Sequence, residues 1–242
     1  MNKTRLLSVA CTCVLAVANS SSHAAAIRGQ GTWETTLQPR DLDGNMSTIE
    51  AYYDTDLNIT WLADANYTGI AMDWTTANSW AAGLYGNTGW RLPNTNPVNG
   101  ATYNYDLSYR GTSDIGFNIS APGTMYAGST GSEMAHLFHI TLGNIGYCGP
   151  SNSTEFTCNG RQAGSGLTNS GPFSNIRSYF YWSATEYPPS THVAWLFGFH
   201  DGEQTTGGTG IGFTFHAWAV HDGDVGTAIT TMSMPWVPLL LD

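Results

Sequence analysis

Glu133, His136 and His139 step by three along one apolar segment, and a carboxylate with two imidazoles is a set that could hold a metal ion or pass a proton. At 3.6 residues per turn, side chains three apart drift around a helix axis by about 60° per step. The two-histidine helix motif of zinc sites uses i, i+4 rather than i, i+3. The spacing therefore predicts a solvent-facing or loop-bonding pair and no metal triad. Ala127-Gly128-Ser129-Thr130-Gly131 approaches a nucleophile elbow, but Ala stands at its first position and nothing before it reads as a buried parallel strand, so serine hydrolase chemistry is not expected.

Asp41, Asp43 and Asn45 offer side-chain oxygens at alternate positions, as a calcium loop does. Gly44 comes two positions too early for an EF-hand, and Tyr52 stands where the closing bidentate carboxylate belongs. Asp, Gly and Asn also make plain turns. The expectation is a turn that binds calcium weakly at most, and no other cofactor. His200-Asp201-Gly202-Glu203 and His221-Asp222-Gly223-Asp224 carry the same ambiguity, which makes Asp201, Glu203, His221, Asp222 and Asp224 candidate binding residues.

The chain has 242 residues, of which 11% are charged, 41% hydrophobic, 12% aromatic and 28 are Gly. An average soluble protein is roughly one-quarter charged. The opening reads as a signal peptide over 1–26: Lys3 and Arg5, an apolar run from Leu6 to Ala18, then Ala24-Ala25-Ala26. That run is too short to hold a membrane, so no span is expected in the mature chain, and Cys11 and Cys13 leave with the peptide. Six bases then face 18 acids and no Lys remains. Such a surface repels phosphate backbones and sulfated polyanions, which excludes nucleic acid as a partner. Cys148 and Cys158 remain, in a loop of Gly, Pro, Ser, Asn and Thr. In an oxidising compartment a disulfide is the economical reading, closing a loop worth on the order of 2–3 kcal/mol.

These residues need elements to position them. No linker or repeat divides 27–225, so a single domain is expected there, with 226–242 as a tail. Ala77, Trp80, Ala81 and Leu84 fall on one helix face behind an Asp73 or Thr75 cap, and Met134, Leu137, Phe138 and Thr141 fall on another between Ser132 and Gly143 or Asn144. Strands are expected at 51–53, 59–62, 181–183, 192–199 and 211–220, the last two paired antiparallel. The Gly-, Ser- and Asn-rich stretch between the second helix and Tyr181 exceeds a plain connection and is where binding loops belong. Most of the nine Trp residues are expected in the core.

Asn58-Ile59-Thr60-Trp61-Leu62, Gly89-Trp90-Arg91-Leu92-Pro93, Ser132-Glu133-Met134, Gly171-Pro172-Phe173, Tyr181-Trp182-Ser183-Ala184-Thr185 and Ala217-Trp218-Ala219-Val220 recur in this order in the Lcl C-terminal domain family, which the chain resembles over about residues 50–225. The resemblance implies an extracellular bacterial α+β domain of C-type-lectin-like, formylglycine-generating-enzyme-like fold: two helices, small antiparallel sheets and long loops. It implies scaffold roles for Trp90, Arg91, Pro93 and Trp182 and names no catalytic residue. The Glu-Pro-Asn and Trp-Asn-Asp signatures of calcium lectins are absent, as is the collagen-like region with which relatives bind sulfated glycans. Many look-alikes end in a PEP-CTERM sorting tail; Pro235 to Asp242 starts like one without its apolar span, so the expectation is an anchor either missing or lost.

The expected function is a secreted, non-enzymatic module that binds a surface or matrix component, a neutral glycan or a protein, through its loops. A self-assembling structural subunit is the alternative, and a hydrolase or oxidase on the same scaffold ranks third.

Overall fold

A computed structural model of the chain describes residues 30–229 apart from 87 and 152, so the expected signal peptide and most of the 226–242 tail lie outside the described residues. The architecture is α+β. In the first sheet, β1 (Leu37–Asp41), β2 (Ala51–Asp54), β3 (Ile59–Leu62), β4 (Trp90–Arg91), β10 (Val220–Asp222) and β11 (Thr227–Ala228) run in the order β11-β1-β2-β3-β10-β4, all antiparallel. The second holds β5 (Leu107–Ser108), β6 (Ile115–Phe117), β7 (Phe180–Glu186), β8 (Val193–Gly198) and β9 (Glu203–Gly208) in the order β5-β6-β9-β8-β7. There the β5–β6 pair is parallel, a departure from the all-antiparallel expectation. Pairing of β11 with β1 carries the first sheet three residues past 225. No described helix is long and apolar enough to cross a membrane.

Both expected helices form, and a four-residue α1 (Trp33–Thr36) precedes them. In α2 (Trp74–Gly83) the Asp73 carboxylate accepts from the Thr76 N–H at 3.0 Å, and Ala77 and Ala81 are buried. In α3 (Glu133–His136) the Ser132 hydroxyl accepts from the Ala135 N–H, and the chain continues into a π turn, Leu137–Thr141, where the Leu142 N–H reaches the Leu137 carbonyl at 2.8 Å. Gly143 ends it with φ 68°, and the Asn144 N–H returns to the Phe138 carbonyl at 2.9 Å. A Cβ at Gly143 would stand 2.3 Å from the Gly31 nitrogen, so both conformation and space require glycine.

The segment 211–220 departs from expectation. Only Val220 enters regular strand, and β8 pairs with β7 and β9 instead. The apolar run misleads because residues 217–220 are buried on every side, which removes the alternation that marks a two-faced strand. Its backbone stitches the sheets together. His216 exchanges hydrogen bonds with Phe180 and Trp182 of β7, Ala219 accepts from Leu62 of β3, and β10 then lies between β3 and β4.

Tryptophans fill the core between the sheets, and three anchor it with indole N–H bonds of 2.8 Å: Trp218 to the Leu62 carbonyl, Trp182 to Met72 and Trp74 to Ser183. Trp90 is buried in β4. The Pro93 carbonyl accepts from the Ser183 hydroxyl at 2.9 Å and from the Ala184 N–H at 2.8 Å, tying the end of β4 to β7.

Arg91 forks onto Glu133 with two bonds of 2.8 Å, donates to the Leu92 carbonyl at 3.0 Å, and reaches Asp222 at 2.5 Å. Glu133 also accepts the Asn94 N–H at 2.7 Å. The Glu133 side chain is 11% exposed and that of Asp222 75%. Removing the buried partner strands a guanidinium in a poorly solvated place, whereas the exposed partner is replaced by water. Glu133→Ala is expected to cost roughly 2–4 kcal/mol and Asp222→Asn less than about 1 kcal/mol in urea unfolding; equal losses would contradict this reading of the network.

Candidate functional site

The three chemical residues of the α3 segment point to three different places. Glu133 meets Arg91; the Nδ1 of His136 lies 3.1 Å from the Ser129 carbonyl and its Nε2 3.9 Å from Asp56; the Nδ1 of His139 lies 3.2 Å from the Asn144 carbonyl. The loop-bonding expectation for the two histidines matches this. The solvent-facing one is corrected, because all three side chains are buried where the segment threads between the sheets and the loops. The Ser129 hydroxyl donates to the Val98 carbonyl at 2.7 Å in a loop away from any strand-to-helix turn.

The acidic candidates also scatter. The Asp41 carboxylate accepts from the N–H groups of Asp43 and Gly44, Asp43 accepts from Asn45, and Asn45 accepts from Ser47, a chain of turns. Glu50, which carries no signal in the sequence pattern, brings its carboxylate within 4.8 Å of those of Asp41 and Asp43. One oxygen of each of these three already accepts a backbone N–H. Asp201 accepts from the Glu203 N–H and sits 3.1 Å from the His200 imidazole. Burial, with the Asp201 charge beside it, raises the Glu203 carboxyl. Across the molecule, Asp222 binds Arg91, Asp224 forks onto the buried Arg40, and both ring nitrogens of His221 face carbonyls, of Asp222 and Thr88, at 2.6 Å. The two His-Asp-Gly turns therefore build no common site.

A cavity of about 280 Å³ opens between three loops. Its walls are Asn118 and Ala121–Gly123 from the loop after β6, Gly143–Gly146 from the end of the π turn, and Pro150, Ser151 and Gln162 from the stretch expected to carry binding loops. His139 completes the lining, and among the described residues no carboxylate, ammonium or guanidinium takes part. Two larger depressions, of about 540 and 460 Å³, are more open to solvent.

The cavity walls are braced from behind. Cys148 and Cys158 form the expected disulfide, with Cα atoms 5.3 Å apart, and so close the loop that holds Pro150 and Ser151. The Asn118 amide donates to the carbonyls of Tyr109 and Cys148 at 2.8 and 2.7 Å, and the Gln162 amide donates to those of Gly146 and Cys148, both at 2.9 Å. Asn118 and Ser120 hold φ of 64° and 63°, backbone strain of the kind concentrated at functional loops. Sequence reasoning locates the long stretch and singles out His139, though as one of a metal or proton set rather than as a cavity wall, and it misses Asn118. The signals are the π insertion and the Asn118-Ile119-Ser120 backbone, and neither has a periodicity to betray it.

Comparison with protein-family models, with curated proteins and with solved structures finds no match for this chain. The α+β architecture and the cavity geometry stand on the structure alone.

Burial holds the His139 imidazole down at about 4, against an ordinary value of 6.5. The unfolded chain thus takes up this proton well before the folded one, and the stability linked to His139 is complete above about pH 6.5 and lost as pH falls towards 4. Asp54, wholly buried and pushed up to about 6 mainly by burial, titrates in the opposite sense: its contribution is lost as pH rises from 3.8 through 6. Subtraction of a His139→Phe variant separates the two. The unfolding free energy of the wild type relative to that variant should fall by up to about 1.4 kcal/mol per pH unit between pH 6 and 4.5, and a flat difference would contradict a buried neutral imidazole. At the acidic turn, millimolar calcium against chelator should move the melting temperature by no more than about 2 °C, because each carboxylate already serves the backbone.

Proposed function

We propose that this chain is a secreted, non-enzymatic binding module of C-type-lectin-like fold, similar to the Lcl C-terminal domain family, that engages a neutral glycan or a protein of a surface or matrix through the loop-framed cavity. The observation that carries this reading is the cavity itself: concave, uncharged, and held rigid by a disulfide and paired side-chain amides. Small-ligand sites have this make-up, mostly apolar walls with a few fixed polar groups. Among the described residues the lining has no carboxylate pair and no thiol, and Ser129, the residue of the elbow-like sequence, lies outside it and spends its hydroxyl on a carbonyl. The disulfide agrees with an oxidising, extracellular destination.

The sheet edges argue against a self-assembling subunit. Edge strands β4, β5 and β11 are two residues each, and the outer side of β7 is covered by His216 and Pro93. Little unpaired backbone is left for a second copy to extend.

Purified processed protein on an array of neutral and charged glycans, with and without chelator, tests the reading. Binding to uncharged glycans that survives chelation is expected, with light scattering independent of concentration. Particle growth with concentration and no binding to glycans or matrix proteins would overturn it.

A further inference from the structure

Asp41, Asp43 and Glu50 bring carboxylate oxygens within 4.8 Å of one another, and among the described residues no base pairs with any of them. Arg40 is spent on Asp224, and Arg91 on Glu133 and Asp222. Asp41 is 4% exposed, yet both of its amide hydrogen bonds fall on Oδ1, so its other oxygen accepts none and is not sealed from solvent. Beside these acids lies the depression of about 460 Å³, with Leu42, Tyr85, Trp90, His221 and Gly226 in its walls. Two of those walls touch the acidic loop: the Leu42 N–H holds the Glu50 carboxylate at 3.1 Å, and a Cβ on Gly226 would stand 2.6 Å from the Asp41 carbonyl oxygen. The Tyr85 ring is 40% exposed and is set at φ 46°, an uncommon conformation for an aromatic residue. It packs 5.6 Å from Trp90, which His221 backs at 5.7 Å. Burial first, then the charges of Tyr67, Glu50 and Asp43, raise the Tyr85 hydroxyl, so the field of the acids reaches this wall.

We propose that this depression takes an arginine side chain of a basic partner protein, its guanidinium lying over the Tyr85 ring in the field of Asp41, Asp43 and Glu50. The surface shares no wall residue with the loop-framed cavity, so the inference stands whether or not that cavity binds a glycan. Three considerations select this occupant. An acidic group would meet three charges of its own sign. A hard divalent ion needs six or more converging oxygens, whereas one oxygen of each acid is turned to backbone amides and the walls are aromatic and aliphatic. A guanidinium is planar and weakly hydrated, stacks on aromatic faces, and is drawn by carboxylates without needing to displace those amides. The depression is open, and a small free cation would keep most of its water there. An arginine adds an alkyl stem that covers Leu42 and Val225, and it arrives on a protein that the formal charge of -10 steers in.

Short acetylated and amidated peptides that carry arginine, lysine or citrulline, the uncharged isostere of arginine, at alternate glycine-spaced positions are the probes. They are titrated into the purified processed protein at low ionic strength and followed in proton–nitrogen spectra. The amides of Leu42, Thr88 and Gly226 with the Trp90 indole report the depression, and the amides of Asn118 and Ile145 report the loop-framed cavity. The arginine peptide should move the first group and leave the second, bind about threefold or more tighter than the lysine peptide, and outlast the citrulline peptide, which should not saturate. Tyr85→Asn, a residue that tolerates positive φ, should weaken the arginine peptide about threefold or more. Asp43→Asn with Glu50→Gln, which keep the backbone acceptors and remove two charges, should do the same. The wild-type shifts carry the test even if a variant folds poorly. An arginine peptide that leaves the first group unmoved, binds no better than its lysine counterpart, or binds Tyr85→Asn undiminished overturns the inference, the last two outcomes being those of a diffuse negative field alone. Shifts confined to Asn118 and Ile145 also overturn it and leave the binding-module reading intact.

Discussion

The fork of Arg91 onto Glu133 sets the orientation of everything beyond it in the α3 segment. Glu133 is the first residue of α3, and its carboxylate also takes the Asn94 N–H while Ser132 caps the helix and bridges to Thr95. A helix gripped at its start by a planar bidentate pair has no freedom to rotate. Every later side chain then has a fixed bearing. His136 is sent towards Asp56 and the Ser129 carbonyl, and the π turn Leu137–Thr141, by widening the coil from the next residue on, changes the bearing of the side chains within it, His139 among them. His139 is thereby carried under the loops. The same geometry that rules out a shared metal triad also places a single imidazole in the cavity wall.

The distribution of positive charge obeys the same economy. Of the described arginines, Arg40 and Arg91 are spent on Asp224, Glu133 and Asp222 inside or at the edge of the first sheet, and Arg161 donates to Ser165 in the disulfide loop region. With Asp and Glu at 18 against 8 bases in the whole chain, the outward field is negative. Long-range steering of an anionic ligand is therefore unfavourable, and recognition at the loop-framed cavity is left to short-range effects: shape, apolar contact and directed hydrogen bonds.

Much of the scaffold is legible in the sequence because it depends on local rules. Asp73 or Thr75 and Ser132 announce the helix starts, Gly143 or Asn144 the stop, and the segments 51–53 and 59–62 read as strands because their branched and aromatic residues sit between turn formers; Asp73 and Ser132 do cap, and the first strand runs one residue further, to Asp54. The β9 strand has no such signal, since Glu203-Gln204-Thr205-Thr206-Gly207-Gly208 has little apolar character. It forms because β8 and β6 offer ladders on both sides, which is tertiary context overriding propensity. The residues 217–219 fail in the opposite direction, apolar enough for a strand but consumed by packing around Trp218. The cavity is the least legible part. Its walls are backbone turns, glycines and amides, residues chosen for conformation and hydrogen-bond direction, and a linear sequence shows neither.

The disulfide joins these two levels. The Cys148 carbonyl accepts both the Asn118 and the Gln162 amide, so one peptide unit anchors two walls of the cavity at once. A loop free to move would need to be ordered again at each binding event, at a cost of about 1–2 kcal/mol for every residue fixed. Closing that loop covalently moves much of this cost from binding to folding. A small cavity with few polar contacts can hold a neutral ligand usefully only if its walls are already in place. In this chain the bond between Cys148 and Cys158, the amides that converge on it, and the rigid start of α3 supply that preorganisation from three separate parts of the sequence.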